Sequence, residues 1–403
     1  MSNSKSFNRW WIVVGAIVIQ LCLGAIYAWS VFRIPLQKEF SISPTQASLP
    51  FSFVLIFFAL ATIIGGRWQD KSGPRIVATA GGVLLGLGLI LASFAQSITA
   101  IVIFYGVVSG IGIGFAYVCP ISAGIKWFPD KRGLITGLSV AGFGAGAFIV
   151  GPLARVLIDS VGVFNTFRIL GIIFLVLVFL GTLFLRNPEQ GYVPAGWTPP
   201  ATTVSAKADY STGEMLSTGQ FYLIWIMYFF GCATGLMTIG QTSPIGQELA
   251  QYTKTTAALG VSLLAIFNAF GRVFWGRISD VFGRMKTLFL IFLICGLAIL
   301  SYSFIAGFKA WYWIGISLVG LCFGGYLALF PAINADFFGT KNIGVNYGLL
   351  FTAYGVGGLL SNIFAPRVKE LTGGYTVAFI VAGVLCLAGA VLTFFVKPPK
   401  ISR

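Results

Sequence analysis

The sequence predicts an all-α membrane protein of twelve spanning helices, arranged as two six-helix halves. Three observations carry this prediction. The 403 residues are 57% hydrophobic and 9% charged, with 51 glycines, a make-up far from that of ordinary globular domains. Apolar runs follow one another along the chain, each long enough for a hydrocarbon core that takes ~20 helical residues, with the charge gathered in short intervals between them. A motif between the second and third runs returns between the eighth and ninth.

The spans of the first half fall near 11–32, 47–67, 76–95, 99–125, 134–157 and 164–186. Those of the second fall near 219–243, 256–278, 286–306, 310–334, 345–366 and 374–396. Lys5 and Arg9 ahead of the first span resemble the basic start of a signal peptide, but the apolar stretch is too long and eleven spans follow, so a retained helix is expected. Residues 1–186 and 219–396 are then the two bundles, 187–218 a linker richer in Pro, Ser, Thr and charge, and 397–403 a tail.

Of the 26 Lys and Arg, 17 lie on the side shared by both termini, the linker and the loops after even-numbered spans; eight lie on the other side, and Arg272 lies within a span. The positive-inside rule makes both termini cytoplasmic, in a cell membrane. The net charge of +15 then reflects topology and attraction to anionic lipid, and no nucleic-acid partner is expected. All six cysteines sit inside spans, without a CxxC pair and with no His in the chain. They read as small packing residues, with no metal, cofactor or redox chemistry expected. An enzyme is excluded on the same ground, because neither His nor a mid-span carboxylate is available for acid–base work. Gly110, Gly112 and Gly114 lie inside the fourth span and read as a packing strip, not a dinucleotide loop.

The run Gly66 to Arg75, with Asp70, Lys71 and Gly73 as fixed points, recurs 210 residues later as Gly276 to Lys286, with Asp280, Gly283 and Arg284. Pro120 answers Pro331, and Gly142, Gly144 and Gly146 in the fifth span answer Ala353, Gly355 and Gly357 in the eleventh. The chain is therefore a duplicated six-helix unit in parallel orientation, the plan of alternating-access carriers. In the loop motif, Gly66 permits close backbone approach, Asp70 can accept hydrogen bonds at a helix N-terminus, and Gly73 with Pro74 forces a tight turn. Such contacts can latch the cytoplasmic side shut.

Arg272 is the one basic residue inside a span, and its repeat-mate is Thr62. An arginine at a helix centre costs roughly 2.5–3.5 kcal/mol, so such a residue normally faces a cavity and a partner. Two readings stand: Arg272 reaches the cytoplasmic surface near Arg277, about 7 Å along the helix, or it faces a cavity and binds an anion. All eleven Asp and Glu fall in loops or near helix ends, which leaves the cargo as the natural partner. A guanidinium suits a carboxylate by two parallel N–H donors. Asn268, at i−4, shares the face of Arg272, either as an inter-helix hydrogen-bonding group or as the ligand of a second polar group on the cargo.

The duplicated loop motif and twelve-helix plan resemble the major facilitator superfamily. More narrowly, residues 8–10, 27–30, 127–133, 213–216 and 274–276 are similar to the oxalate:formate antiporter and its bacterial monocarboxylate (lactate) transporter relatives, a resemblance spanning nearly the whole chain. It implies a substrate cage in which Arg272 is the carboxylate ligand and Tyr117, Tyr27, Ile26, Phe323 and Phe351 line the walls. Tyr354 stands where the oxalate carrier has a lysine, and Phe143, its repeat-mate, is expected on the opposite wall.

One arginine neutralises one carboxylate, and a second bare charge would be left uncompensated in a low-dielectric cavity. The lysine-to-tyrosine exchange therefore favours a small monocarboxylate such as L-lactate or pyruvate over oxalate. Proton symport is the expectation from the lactate carriers, and anion exchange of the oxalate:formate type is the alternative. An anion channel is a rival of a different class, though it would not require a latch in both halves. The expected partners are thus a small organic anion, a proton and the bilayer, with a monomer as the working unit.

Overall fold

The computed structural model describes residues 7–43, 46–189, 191–194, 196–198, 209–305 and 308–399. Part of the expected linker (residues 190, 195 and 199–208) and the end of the expected tail lie outside these residues. Twelve long helices occur among the described residues, and no strand. The first half holds α1 (Trp10–Phe40), α2 (Leu49–Ser72), α3 (Pro74–Ala92), α4 (Ile98–Trp127), α5 (Arg132–Val161) and α6 (Val163–Thr182). The second holds α7 (Gly219–Glu248), α8 (Lys254–Phe282), α9 (Arg284–Ile305), α10 (Lys309–Phe338), α11 (Ile343–Thr372) and α12 (Thr376–Leu392). By length and composition α1–α11 each contain a stretch able to cross a membrane; α12 has 17 helical residues and runs on through turns at Thr393–Phe395.

Several helices outrun their expected spans, because an apolar run marks only the stretch in hydrocarbon. The 30 residues of α5, α7, α10 and α11 reach about 45 Å at ~1.5 Å per residue, against a hydrocarbon core of ~30 Å. The largest difference is α1, which continues past 32 to Phe40 despite Pro35, after a tightened 3-10 turn at Ala25–Ala28. Helix starts use local side chains: the Thr218 and Thr253 hydroxyls accept from Phe221 N at 3.3 Å and Thr256 N at 3.2 Å. Ahead of α7 a short helix, Thr212–Leu216, begins in a reciprocal Ser211–Glu214 cap. The Ser211 hydroxyl and amide hold the Glu214 carboxyl below its usual range.

The duplication is visible in the packing. Helix α1 lies on α5, α2 on α4, α3 on α6 and on α4; in the second half α7 lies on α11, α8 on α10, α9 on α12 and on α10. Each pair in one half has its counterpart in the other. The halves meet along α2 with α11 and along α5 with α8, again counterparts of one another. Without a hydrophobic drive between helices in lipid, such contacts depend on small residues that let backbones approach. The six cysteines are all buried and unpaired within this packing. A methyl at Gly324 of α10 would strike the Asn268 carbonyl on α8, and one at Gly271 of α8 would strike the Leu321 carbonyl on α10. Asn268 and Arg272 are thereby held on a helix pressed backbone-to-backbone against its neighbour.

Gly324→Leu is expected to force α8 from α10 and lower the melting temperature in detergent, in line with the ~1–3 kcal/mol of overpacking. Gly213→Ala, whose methyl would meet no atom within 4 Å, is expected to leave it unchanged.

Candidate functional site

Between the halves lies a cavity of about 360 Å³, lined by Tyr27 and Trp29 of α1, Gly144 of α5, Ile239 of α7, Asn268 and Arg272 of α8 and Phe323 of α10. Arg272 is 1% exposed, so it does not reach the surface near Arg277. Its Nε donates to Asn268 Oδ1 at 3.0 Å and its Nη1 donates to the Val140 carbonyl of α5. Among the described residues no carboxylate pairs with it. The guanidinium is thus held by neutral acceptors at Nε and Nη1, and its Nη2 donates to no group among the described residues. The glycine-rich fifth helix makes this possible. A methyl at Gly137 would strike the Arg272 carbonyl, and one at Gly144 would stand 3.3 Å from Arg272 Cζ and from Asn268 Oδ1. Asn268 is 4% exposed, and its Nδ2 is buried without a partner, a donor left over beside the arginine.

Beneath the cavity the aromatic candidates form one cluster across the two halves. The Tyr27 and Tyr354 hydroxyls hydrogen-bond to each other. Phe351 stacks on Tyr354 at 4.8 Å, Tyr117 meets Phe351 at 4.9 Å, and Phe143 sits edge-on to both Tyr27 and Tyr117 at 5.3 Å. Phe58 of α2 stands at the centre, 5.0 Å from Tyr117, 5.2 Å from Phe351 and 5.8 Å from Phe143. Tyr27, Asn268, Arg272 and Phe323 therefore line the cavity itself, while Tyr117, Phe143, Phe351 and Tyr354 close its floor. Ile26 does neither. It faces the interior of the first half with Cys22, Phe32 and Leu85, because the tight turn at Ala25–Ala28 aims neighbouring side chains to opposite sides.

Further along the same helices the halves are pinned together. Gly66 of α2 abuts the Gly344 backbone at the start of α11, and Gly276 of α8 abuts Gly133 at the start of α5. Beside each contact a carboxylate receives the free N–H groups of the facing helix. Asp70 accepts from Gly344 N at 3.0 Å and Val345 N at 2.9 Å; Asp280 accepts from Gly133 N at 2.9 Å and Leu134 N at 2.8 Å. Unsatisfied N–H groups and the helix dipole both favour a negative charge at those points. The second copy carries more charge: Arg284 bridges Asp280 at 2.6 Å and Asp336 at 2.8 Å, and Asp336 reaches Arg132 of the first half at 2.6 Å. Gly73 and Gly283 start α3 and α9 with φ of 86° and 90°, values that favour glycine. Arg75 has a different task from the cross-half contacts: its Nε and Nη2 donate to the Thr182 and Leu183 carbonyls and tie α3 to α6 within one half. Lys71 is exposed and makes no ion pair among the described residues. Both described chain ends lie at this pinned end, where Arg9 pairs with Asp130 at 2.7 Å and Phe394 packs on Phe289 at 5.1 Å.

A family model, Major Facilitator Superfamily, matches residues 13–362. The chain belongs to the Major Facilitator Superfamily. It is therefore a membrane transporter and not an enzyme. The chain is 29% identical over 398 residues to the oxalate:formate antiporter of Oxalobacter formigenes, covering 98% of this chain and 93% of that one. It is 26% identical to monocarboxylate transporter 12 of Xenopus laevis, covering 93% and 85%. Among solved structures, the superfamily transporter FucP in its outward conformation superposes with a TM-score of 0.76 at 15% identity, covering 96% of this chain and 99% of that one.

In this superfamily member, sequence reasoning missed Phe58, Arg132 and Asp336. A signal existed for the first. Phe58 is the repeat-mate of Asn268, as Thr62 is of Arg272, so the duplication already placed it opposite the cavity face of α8. For Arg132 and Asp336 no spacing rule links two residues 204 positions apart.

Asp280→Asn removes the charge that holds two helix-start amides, and hydrogen bonds to charged groups are worth ~1.5–3 kcal/mol. Thiol labelling of a Val345→Cys reporter is expected to rise about tenfold or more in this background, with the six buried native cysteines silent. Unchanged labelling would mean the carboxylate does not hold the pinned end closed.

Proposed function

We propose that this superfamily member is a secondary active transporter of a small monocarboxylate of the L-lactate or pyruvate type, working by alternating access with proton symport. One observation supports this above the others: Arg272 lines the inter-half cavity with no carboxylate paired to it and with Nη2 free. A cargo carboxylate takes up Nη2 and the second N–H of Nη1 in parallel, and Asn268 Nδ2 meets a neighbouring hydroxyl or keto oxygen. The methyl of a three-carbon acid lies against Phe323 and the Tyr27–Phe143 wall. With Tyr354 engaged by Tyr27, no second cation stands at the floor to neutralise a dicarboxylate.

In this reading residues 1–186 and 219–396 rock as bundles about the cavity. The pinned end is cytoplasmic, as its Lys and Arg excess favours, in the cell membrane. The contacts of Asp70, Asp280, Arg284 and Asp336 form the latch that holds the outward-facing state. The cargo binds as a carboxylate and takes up the proton on its own carboxyl group for reorientation, with the neutral Tyr27–Tyr354 hydroxyl pair as a relay, because no Asp or Glu is among the residues lining the cavity. Exchange of anions is the second reading, favoured by the same missing acid: an empty carrier would have to turn over with Arg272 uncompensated.

In proteoliposomes, labelled L-lactate and pyruvate are expected to enter against concentration under an inward proton gradient, with saturation and counterflow. Arg272→Ala is expected to reduce that uptake at least a hundredfold, since a buried charge-assisted pair is worth ~3–5 kcal/mol when one partner is removed. Normal transport by Arg272→Ala would end the site assignment. Uptake only into preloaded vesicles, whatever the pH, would replace symport by exchange. Tyr354→Lys is expected to add oxalate to the accepted substrates and to weaken lactate uptake; continued refusal of oxalate would show that charge at this position does not set the substrate class.

A further inference from the structure

The cavity holds a second arginine. Arg33 lines it from the outer stretch of α1, beyond the tight turn and about 9 Å along the helix from Tyr27 at ~1.5 Å per residue. Its Nε is buried without a hydrogen-bond partner, and among the described residues no carboxylate pairs with the side chain. Asp159, on α5, lies instead in a separate groove with Lys38 and Arg155. The cavity thus carries two guanidinium groups and no carboxylate. One cargo anion on Arg272 leaves Arg33 uncompensated; an anion on its way in meets Arg33 first, since the floor of the cavity is closed by the aromatic cluster.

We propose that Arg33 is an outer carboxylate station: the incoming anion pairs with Arg33 at the cavity mouth and then moves inward to Arg272. The inference rests on the monocarboxylate reading above and adds to it a capture step at one face only. A cleft of one charge sign with low-dielectric walls focuses its field and raises the local concentration of the opposite ion. The guanidinium fork offers parallel donors to a carboxylate. Trp29 stands beside it in the lining, fixed by its indole N–H donating to the Ala47 carbonyl at 3.0 Å, and gives the methyl end of the acid an apolar surface. Charges at a rim act mainly on capture, so the effect belongs to half-saturation at the open face and not to the rate of turnover.

The test compares initial rates of labelled L-lactate entry into intact cells and into everted membrane vesicles, for the wild-type chain, Arg33→Gln and Arg33→Lys. Arg33→Gln is expected to raise the half-saturating concentration at the outer face about tenfold, to keep the maximal rate of entry from that face within about twofold, and to leave half-saturation at the opposite face unchanged, the loss there falling on the maximal rate. Arg33→Lys is expected to restore most of the loss, and added salt to weaken wild-type capture more than that of Arg33→Gln. Unchanged half-saturation in Arg33→Gln, or an equal loss of maximal rate at both faces that lysine does not rescue, would overturn the station. Wild-type uptake of succinate at lactate-like rates, lost in Arg33→Gln, would overturn it too, by making Arg33 half of a dicarboxylate site. A wild-type chain that carries no carboxylate would instead overturn the transport reading on which the station rests.

Discussion

A positive charge held between two helix bundles without a carboxylate is the constraint around which this molecule is arranged. Arg272 is satisfied only in part, by an asparagine one turn away and by a backbone carbonyl of the other half. The rest of its hydrogen-bonding capacity faces the cavity. Its neighbours follow from that. Gly137 and Gly144 clear space for it on α5, Gly324 brings α10 against the backbone of α8, and the aromatic cluster seals the space below. A guanidinium so placed is costly unless an anion joins it, which ties substrate binding to the contact between the halves.

The second organising feature is that the halves meet twice by the same means. Gly66 against Gly344 and Gly276 against Gly133 are counterparts under the internal repeat, and each is flanked by an aspartate seated on the start of the facing helix. Close backbone approach and the carboxylate cap need one another: a side chain at either glycine would move the helix start away from its acceptor. The pairs are not equal in charge. The Asp280 side recruits Arg284, Asp336 and Arg132, whereas Asp70 has Gln69 beside it, which also bonds Ser122 at 3.0 Å.

How much of this was legible in the sequence differs from residue to residue, for physical reasons. Asp70 and Asp280 were legible because duplication repeated them in register, and Arg272 because a charge inside an apolar run stands out. Asn268 followed from helical spacing, although its role divides between an oxygen bound to the arginine and a free nitrogen, which spacing alone does not resolve. Ile26 enters the cage only through the family resemblance, and in this chain it faces the interior of the first half, at the tightened turn Ala25–Ala28. Arg33 falls just past the apolar run of the first span, and hydropathy marks the edge of the hydrocarbon and not the end of the helix, which continues to Phe40. The pairing of Arg132 with Asp336 joins distant points of the chain and needed the fold itself.

The central claim is that the cavity recognises a carboxylate through the charge on Arg272. Ligand at free concentration c that binds the folded state stabilises it by RT ln(1 + c/Kd) and so raises its melting temperature. Thermal unfolding of the purified transporter with L-lactate and with lactamide, its neutral isostere, therefore tests the claim most directly. The account predicts stabilisation by L-lactate, none by lactamide at equal concentration, and loss of the lactate effect in Arg272→Ala. Equal stabilisation by the two compounds, or a lactate effect that survives in Arg272→Ala, would contradict it.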